Sequence, residues 1–109
     1  MTESEFNDKV DSTLLQIEDA LDNCNADLDY DTVGGILTIT IESNQSKVII
    51  NRQLPLSQLW VAAKSGGYHF NYDDANEQWL NDNDQQELFQ ALSKYCTEQN
   101  DEPVTLSNS

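Results

Sequence analysis

The sequence predicts an α+β fold, in which two helices pack on one face of an antiparallel sheet of five to six strands. Apolar residues recur at helical spacing near both ends of the 109-residue chain, and they alternate with polar residues in between. The alternating segments are joined by short connections, which favours antiparallel neighbours. Two amphipathic helices can cover one sheet face, which gives a two-layer α/β sandwich whose other face is open to solvent. We expect a single domain over residues 1–109.

The first helix is predicted over residues 3–23. Its apolar residues recur at intervals of three and four, which places them on one helical face: Phe6, Val10, Leu14, Ile17 and Leu21. Thr2 and Glu5 fit a capping box at its start, in which a hydroxyl and a carboxylate satisfy amides that lack helical partners.

The apolar period then changes to two, which is the period of a strand with one buried face. Strands are predicted at 36–42, 46–52, 57–63, 68–72 and around Trp79-Leu80. The clearest of them is the first, where Leu37, Ile39 and Ile41 alternate with threonines. A second helix is predicted over residues 84–98, with Asp84 and Glu87 as its capping box, and residues 103–109 are expected to be an extended tail.

The charge of the chain restricts its partners. Asp and Glu number 20 and Lys and Arg number 5, which gives a net charge of −15. Such a surface repels phosphate backbones and anionic membranes, so binding to nucleic acid or to a membrane is disfavoured. Cations and basic protein surfaces are the natural partners. The alternative is that the acids only keep the protein soluble.

The acids are concentrated in residues 1–31, which hold ten acidic residues and one basic residue. On a helical wheel Asp11, Glu18 and Asp22 fall within about 40° of one another. Residues 27–31 follow, in which three aspartates alternate with apolar residues and would share one face of an edge strand. Carboxylate oxygens suit iron, manganese, calcium and magnesium. We expect a shallow cation-binding surface, although a solvated helix face beside a protected sheet edge would look the same.

More specific sites are excluded by the residues present. Thr32 and Thr38 stand where an EF-hand loop that begins at Asp27 would need glycine and glutamate. Cys24 and Cys96 form no Cys-x-x-Cys pair, so they are expected to be small apolar residues at helix ends. A zinc site from both cysteines and the single histidine stays formally open. The acidic N-terminus lacks the features of a secretory signal, which favours the cytoplasm or a similar reducing compartment.

A binding surface is predicted around Trp60. In the strand at 57–63, Leu59 and Val61 point to one side and Trp60 to the other. If the aliphatic pair faces the helices, the indole faces solvent, beside Asn, Arg and Gln residues that suit a binding hot spot. The alternative is that Trp60 belongs to the core.

Two motifs resemble those of the frataxin family, and in particular those of its bacterial members. Residues 51–60 read Asn-Arg-Gln-x-Pro-x-x-Gln-x-Trp, and residues 66–70 read Gly-Gly-Tyr-His-Phe. Ser-Glu-Phe at 4–6 and Gly-Gly-Ile-Leu-Thr-Ile-Thr at 34–40 add to the match, so the resemblance extends from about Ser4 to Leu92.

The resemblance implies a frataxin-like domain and an iron-binding protein of iron–sulfur cluster assembly. It implies weak binding of Fe²⁺ and Fe³⁺, with other divalent or trivalent cations able to substitute. Carried over to this sequence, the metal ligands form an acidic ridge: Glu18, Asp19, Asp22, Asp27, Asp29, Asp31 and Glu42. The residues that match the family's partner-binding surface are Asn51, Arg52, Gln53 and Trp60. Asn23 and Asn25 stand where many relatives have acids, which thins the ridge at the end of the first helix.

The resemblance also implies how the protein acts. Members of the family are regulators that bind the cysteine desulfurase and its scaffold protein, and they can donate iron. They are mostly monomeric, and iron can drive them into oligomers. We therefore expect an adaptor without catalytic residues. Two other functions stay open, namely a ferroxidase that oxidises Fe²⁺ and an acidic mimic that blocks a basic protein.

Overall fold

The computed structural model describes residues 1–107, which form two α-helices and, between them in the chain, a meander of six strands. In chain order the elements are α1 (Glu3–Asp22), β1 (Leu28–Val33), β2 (Ile36–Ile41), β3 (Ser46–Gln53), β4 (Gln58–Ala63), β5 (Gly66–Asp73), β6 (Gln78–Asn81) and α2 (Leu88–Asn100). Each strand pairs antiparallel with the next, and a 3₁₀ turn at Leu54–Leu56 joins β3 to β4. The predicted α+β architecture is confirmed. Neither helix of the described chain has an apolar stretch long enough to cross a membrane.

The core lies between the helices and one face of the sheet, which we call the helix face. The alternating residues predicted from the sequence are buried there, among them Leu37, Ile39 and Ile41 of β2. They meet the apolar stripe of α1, which includes Phe6 and Ile17, both fully buried. The opposite face, which we call the open face, has no helix over it, and the side chains that alternate with the core residues lie on it.

The start of α1 agrees with the prediction. The Thr2 hydroxyl accepts a hydrogen bond from the Glu5 amide at 3.1 Å, and the Thr2 amide donates to the Glu5 carboxylate at 3.1 Å. The bond from the Thr2 amide favours the ionised carboxylate and so lowers the pKa of Glu5. Both partners of the capping box are therefore present.

The predicted start of the second helix is wrong. The N-cap is Glu87, so α2 begins at Leu88 and not at the proposed Asp84 cap. The Glu87 carboxylate accepts two amides of the first turn, at 2.8 and 3.2 Å. The residues before it are held by the sheet, since the Asn81 amide donates to the Gln86 carbonyl at 2.9 Å and Glu87 forms a bridge to β6. Because these residues contact a strand, the helix begins later in the chain than the local capping pattern predicts.

The predicted extended tail, residues 103–109, has neither helix nor strand in its described part. Val104 and Leu106 are nevertheless buried in the core. The Val104 amide donates to the Thr97 hydroxyl at 2.9 Å, and the Leu106 amide donates to the Ser93 hydroxyl at 2.8 Å, so the tail lies along α2. The last two residues of the predicted range fall outside the described chain.

β1 is one edge of the sheet and packs beside α1. It is joined to β2 by Gly34 and Gly35, whose φ angles of 61° and 77° are those of a tight hairpin turn that glycine adopts without strain. Two amides of this edge that point away from β2 are already bonded. The Leu28 amide donates to the Ala26 carbonyl at 3.0 Å, and the Tyr30 amide donates to the Asp29 carboxylate at 2.9 Å.

Candidate functional site

The helical part of the acidic ridge lies next to the edge strand. The Tyr30 hydroxyl donates to the Asp22 carboxylate at 2.9 Å, and the Thr32 hydroxyl donates to the Glu18 carboxylate at 2.5 Å. This bond to Asp22 raises the pKa of Tyr30, because the phenol can donate it only while it is protonated. Asp19 is exposed on α1, further from β1 on the helical wheel. Sequence reasoning did not connect these hydroxyls with the ridge.

The aspartates of the ridge lie on the other side of the same strand. Asp29 and Asp31 are exposed and alternate with the partly buried Leu28 and Tyr30. Asp27 precedes them, and its carbonyl accepts a hydrogen bond from the amide of Glu42, the last acid of the predicted ridge, at 3.2 Å. Glu18 and Asp22 therefore form one row of carboxylates on the α1 side of β1, and Asp29 and Asp31 form a second row on the side of the open face.

The two rows do not form a cage. Within residues 1–107, no three His, Cys, Asp or Glu side chains come together closely enough to hold a metal ion. A cation bound here would therefore be held by one or two carboxylates, with water completing its coordination shell. Partial hydration of this kind allows ions to bind weakly and to exchange readily.

The predicted partner-binding residues are divided between the two faces of the sheet. By the alternation of β3, Asn51 and Gln53 lie on the open face, and Asn51 pairs across the strands with Trp60. Arg52 lies on the helix face, where its Nη2 is 2.6 Å from a carboxylate oxygen of Asp11 and its Nη1 donates to the Asn7 side chain at 2.8 Å. The Arg52 side chain is only 22% exposed. It joins β3 to α1, and it does not share a surface with Trp60.

Trp60 lies on the open face and is partly exposed, whereas its neighbours Leu59 and Val61 are buried in the core. Its ring stacks on His69 of β5, with centroids 4.5 Å apart and planes inclined by 14°. The indole N–H donates to the Gln58 side chain at 2.9 Å. The orientation of the tryptophan is therefore fixed before any partner binds.

The two cysteines are free thiols with different surroundings. Cys24 follows α1 and is partly buried, whereas Cys96 in α2 is fully buried. Burial raises the pKa of the Cys96 thiol to about 12, so the thiolate that binds metals or reacts with oxidants is strongly disfavoured there.

A family model described as a frataxin-like domain matches residues 1–102. The chain belongs to the frataxin family. This frataxin is 48% identical over 104 residues to a Pseudomonas aeruginosa protein named iron-sulfur cluster assembly protein CyaY, and the match covers 95% of each chain.

Other relatives agree with this assignment. A protein of the same name from Paraburkholderia xenovorans is 42% identical, with 95% of this chain and 96% of that chain covered. Among solved structures, a frataxin of the CyaY family from Psychromonas ingrahamii is 36% identical and superposes with a TM-score of 0.88, covering 98% of this chain and 99% of that one. The family resemblance predicted from the sequence is confirmed.

Proposed function

We propose that this frataxin is an iron-binding protein of cytoplasmic iron–sulfur cluster assembly, which regulates a cysteine desulfurase and its scaffold protein. The names of its CyaY relatives support the assembly role, since those relatives match nearly the whole chain. It acts as an adaptor, without catalytic residues of its own. Its ion is a cargo or a signal, and it can be passed to the assembly machinery.

The acidic ridge is the observation that carries iron binding. Its seven carboxylates flank one edge strand, and within residues 1–107 none of them forms an ion pair with a Lys or Arg side chain. Oxygen ligands without a competing base favour hard cations such as Fe³⁺ and tolerate Fe²⁺. Because water remains on the bound ion, affinity is weak and other divalent or trivalent cations compete. The same ridge attracts basic protein surfaces.

Titration with Fe²⁺ under anaerobic conditions, followed by nitrogen–proton NMR, tests iron binding. We expect the amide signals of α1 near Glu18 and of β1 to shift or broaden first. The triple variant Glu18→Ala, Asp19→Ala, Asp22→Ala should lose the response in α1, while its helix is kept because alanine is a strong helix former.

A matched variant removes three charges elsewhere: Asp74→Ala, Glu98→Ala and Glu102→Ala. These residues are exposed and lie outside the ridge. This control variant tests whether net charge alone accounts for binding. We expect it to respond to iron as the wild type does. If saturating iron leaves every amide of α1 unmoved, the proposal of iron binding is wrong.

Titration with the cysteine desulfurase tests the partner. The expected footprint includes the ridge, and rising ionic strength should weaken binding, because charges exposed to solvent are screened by salt. An affinity that is independent of salt would contradict a contact driven by charge. Oxygen consumption measured with and without the protein separates this adaptor from a ferroxidase, because only an enzyme would raise the rate above background.

A further inference from the structure

Two apolar side chains, which we call the apolar pair, are exposed where α1 meets the β1–β2 hairpin. Leu15 lies on the outer surface of α1 and is 64% exposed, and Val33 ends β1 and is 67% exposed. Within residues 1–107 they are the two most exposed of the large hydrophobic side chains. Single exposed apolar residues are common on protein surfaces. These two come from different elements, and two contacts hold those elements together.

The first contact lies on one side of the apolar pair. The Thr32 hydroxyl donates to the Glu18 carboxylate at 2.5 Å. Leu15 is three residues before Glu18, so the two are neighbours on the helix surface. Val33 follows Thr32 directly. This bond therefore holds the segments that carry the apolar pair side by side.

The second contact lies on the other side of the pair. Nη2 of Arg52 is 2.6 Å from a carboxylate oxygen of Asp11, which is four residues before Leu15. A Cβ atom placed on Gly35, two residues after Val33, would lie 3.2 Å from the same Nη2. The guanidinium therefore lies against both α1 and the turn of the hairpin. Leu15 is between the two contacts along α1, and Val33 is between them along the hairpin.

Carboxylates surround the apolar pair. On β1, Asp31 lies two residues before Val33, on the same face of the strand. Arg52 already pairs with Asp11, so it does not offset the other carboxylates. A molecule that covers the pair therefore needs apolar surface in the centre and positive charge around it. On the helical wheel, five acids of α1 fall within about 60° of Leu15: Asp8, Asp11, Glu18, Asp19 and Asp22.

This combination restricts the class of occupant. Nucleic acid and a second copy of this chain are disfavoured, since each chain has a net charge of −15. A protein surface on which Lys and Arg side chains surround an apolar patch fits both features, because protein interfaces commonly have an apolar centre and a polar rim. Leu15 and Val33 stand on regular elements, so binding requires little loss of backbone freedom.

We propose that Leu15 and Val33 are an apolar anchor by which this frataxin binds a basic protein surface. The inference rests on the proposed function and deepens it, because it gives the contact with the cysteine desulfurase an apolar centre in addition to charge. The acids steer the partner and speed its approach, whereas burial of the anchor slows its release. The two contributions differ in their response to salt, since salt screens exposed charges and does not screen apolar burial.

Leu15→Gln tests the anchor without changing the charge. Glutamine is a good helix former, so the fold should be kept. We expect the Kd for the purified desulfurase to rise about tenfold, as for the loss of one anchor residue, and by the same factor at low and at high salt. Val33→Thr keeps the β-branched shape and should act in the same direction. Calorimetric titration gives the Kd, and thermal unfolding checks the fold.

Two control variants separate the anchor from exposed apolar surface in general and from the charges. Leu56→Gln changes a leucine that is 57% exposed on the 3₁₀ turn, in a stretch that has no Asp or Glu between Glu42 and Asp73. Its Kd should stay within about twofold of the wild type. Asp19→Asn should weaken binding mainly at low salt. The iron titration of Leu15→Gln should match that of the wild type, because no carboxylate is changed.

Four results would overturn the inference, and they differ in what else they overturn. If the wild type binds the desulfurase and Leu15→Gln binds it equally well, the anchor is wrong and the proposed function stands. The same holds if Leu56→Gln loses as much affinity as Leu15→Gln. A wild-type dimer that Leu15→Gln abolishes, seen by sedimentation, would identify a second copy as the occupant. If the wild type does not bind the desulfurase at all, both the anchor and the proposed partner are wrong.

Discussion

Replacing Arg52 with alanine should reduce stability more than partner binding. Arg52→Ala removes the ion pair to Asp11 and the hydrogen bond to Asn7. The Asp11 side chain is 64% exposed, so that pair is screened and contributes about 0.2–1 kcal/mol. The bond to Asn7 is partly buried and contributes about 1 kcal/mol. The expected loss is about 1–2 kcal/mol, which lowers the melting temperature by about 5–10 °C in a domain of this size.

Asn51→Ala provides the matched control. Asn51 is the preceding residue, but it is exposed on the open face beside Trp60. Its replacement should change stability by less than about 0.5 kcal/mol, as for most exposed positions, and should weaken binding of the desulfurase–scaffold assembly. Thermal unfolding and calorimetric titration of both variants give the two readouts. Asp11→Asn combined with Arg52→Ala should lose less than the sum of the single losses, because both remove the same ion pair.

The opposite pattern would refute this reasoning. Suppose that Arg52→Ala has the melting temperature of the wild type and weakens partner binding as much as Trp60→Ala does. Arg52 then belongs to the partner-binding surface. The family resemblance alone implies that second pattern. The position of the guanidinium against α1 implies the first.

Two further predictions concern buried groups. Thr13→Val removes the acceptor of the buried Trp79 indole N–H, which is 2.9 Å from the Thr13 hydroxyl, and should cost about 1–3 kcal/mol in urea unfolding. Thr38→Val, on the open face, should leave the free energy of unfolding nearly unchanged. Equal losses of stability in the two variants would contradict a role for the Thr13 hydroxyl as a buried acceptor. At pH 8 a thiol reagent should label Cys24 in the native protein and Cys96 only after unfolding. Because burial raises the pKa of Cys96 from 9.0 to about 12, its contribution to stability is complete below pH 9.0 and is lost as the pH rises towards 12. If native Cys24→Ser still reacts rapidly with the thiol reagent, the prediction for Cys96 is wrong.

The fold was largely predictable because burial imposes a period on the residues. The alternation of Leu37, Ile39 and Ile41 exists because one face of β2 meets the core, and the spacing in α1 has the same cause. The start of α2 was not predictable in this way. Asp84 fits a local capping pattern, but the pairing of Asn81 with Gln86 is a contact with the sheet, and local pattern does not encode it.

The candidate site was less predictable, because it depends on how elements cross. The alternation of β3 already places Arg52 on the same side as Val48 and Ile50, so the sequence did contain a signal that Arg52 faces α1. No sequence pattern indicates the bond between Tyr30 and Asp22. It joins the edge strand to the helix, and it depends on the angle at which α1 passes over β1.

The edge of the sheet at β1 has a consequence for larger assemblies. The amides of Leu28 and Tyr30 are already bonded, so these two donors are not available to a strand from another molecule. Such a strand would also lie beside a row of aspartates. Growth of copies of this chain at this edge by backbone pairing, as in fibrils, is therefore disfavoured. If the ridge binds cations as proposed, an assembly formed here is instead cross-linked by cations that bridge carboxylates of two chains. A chelator would dissolve it and release folded monomers.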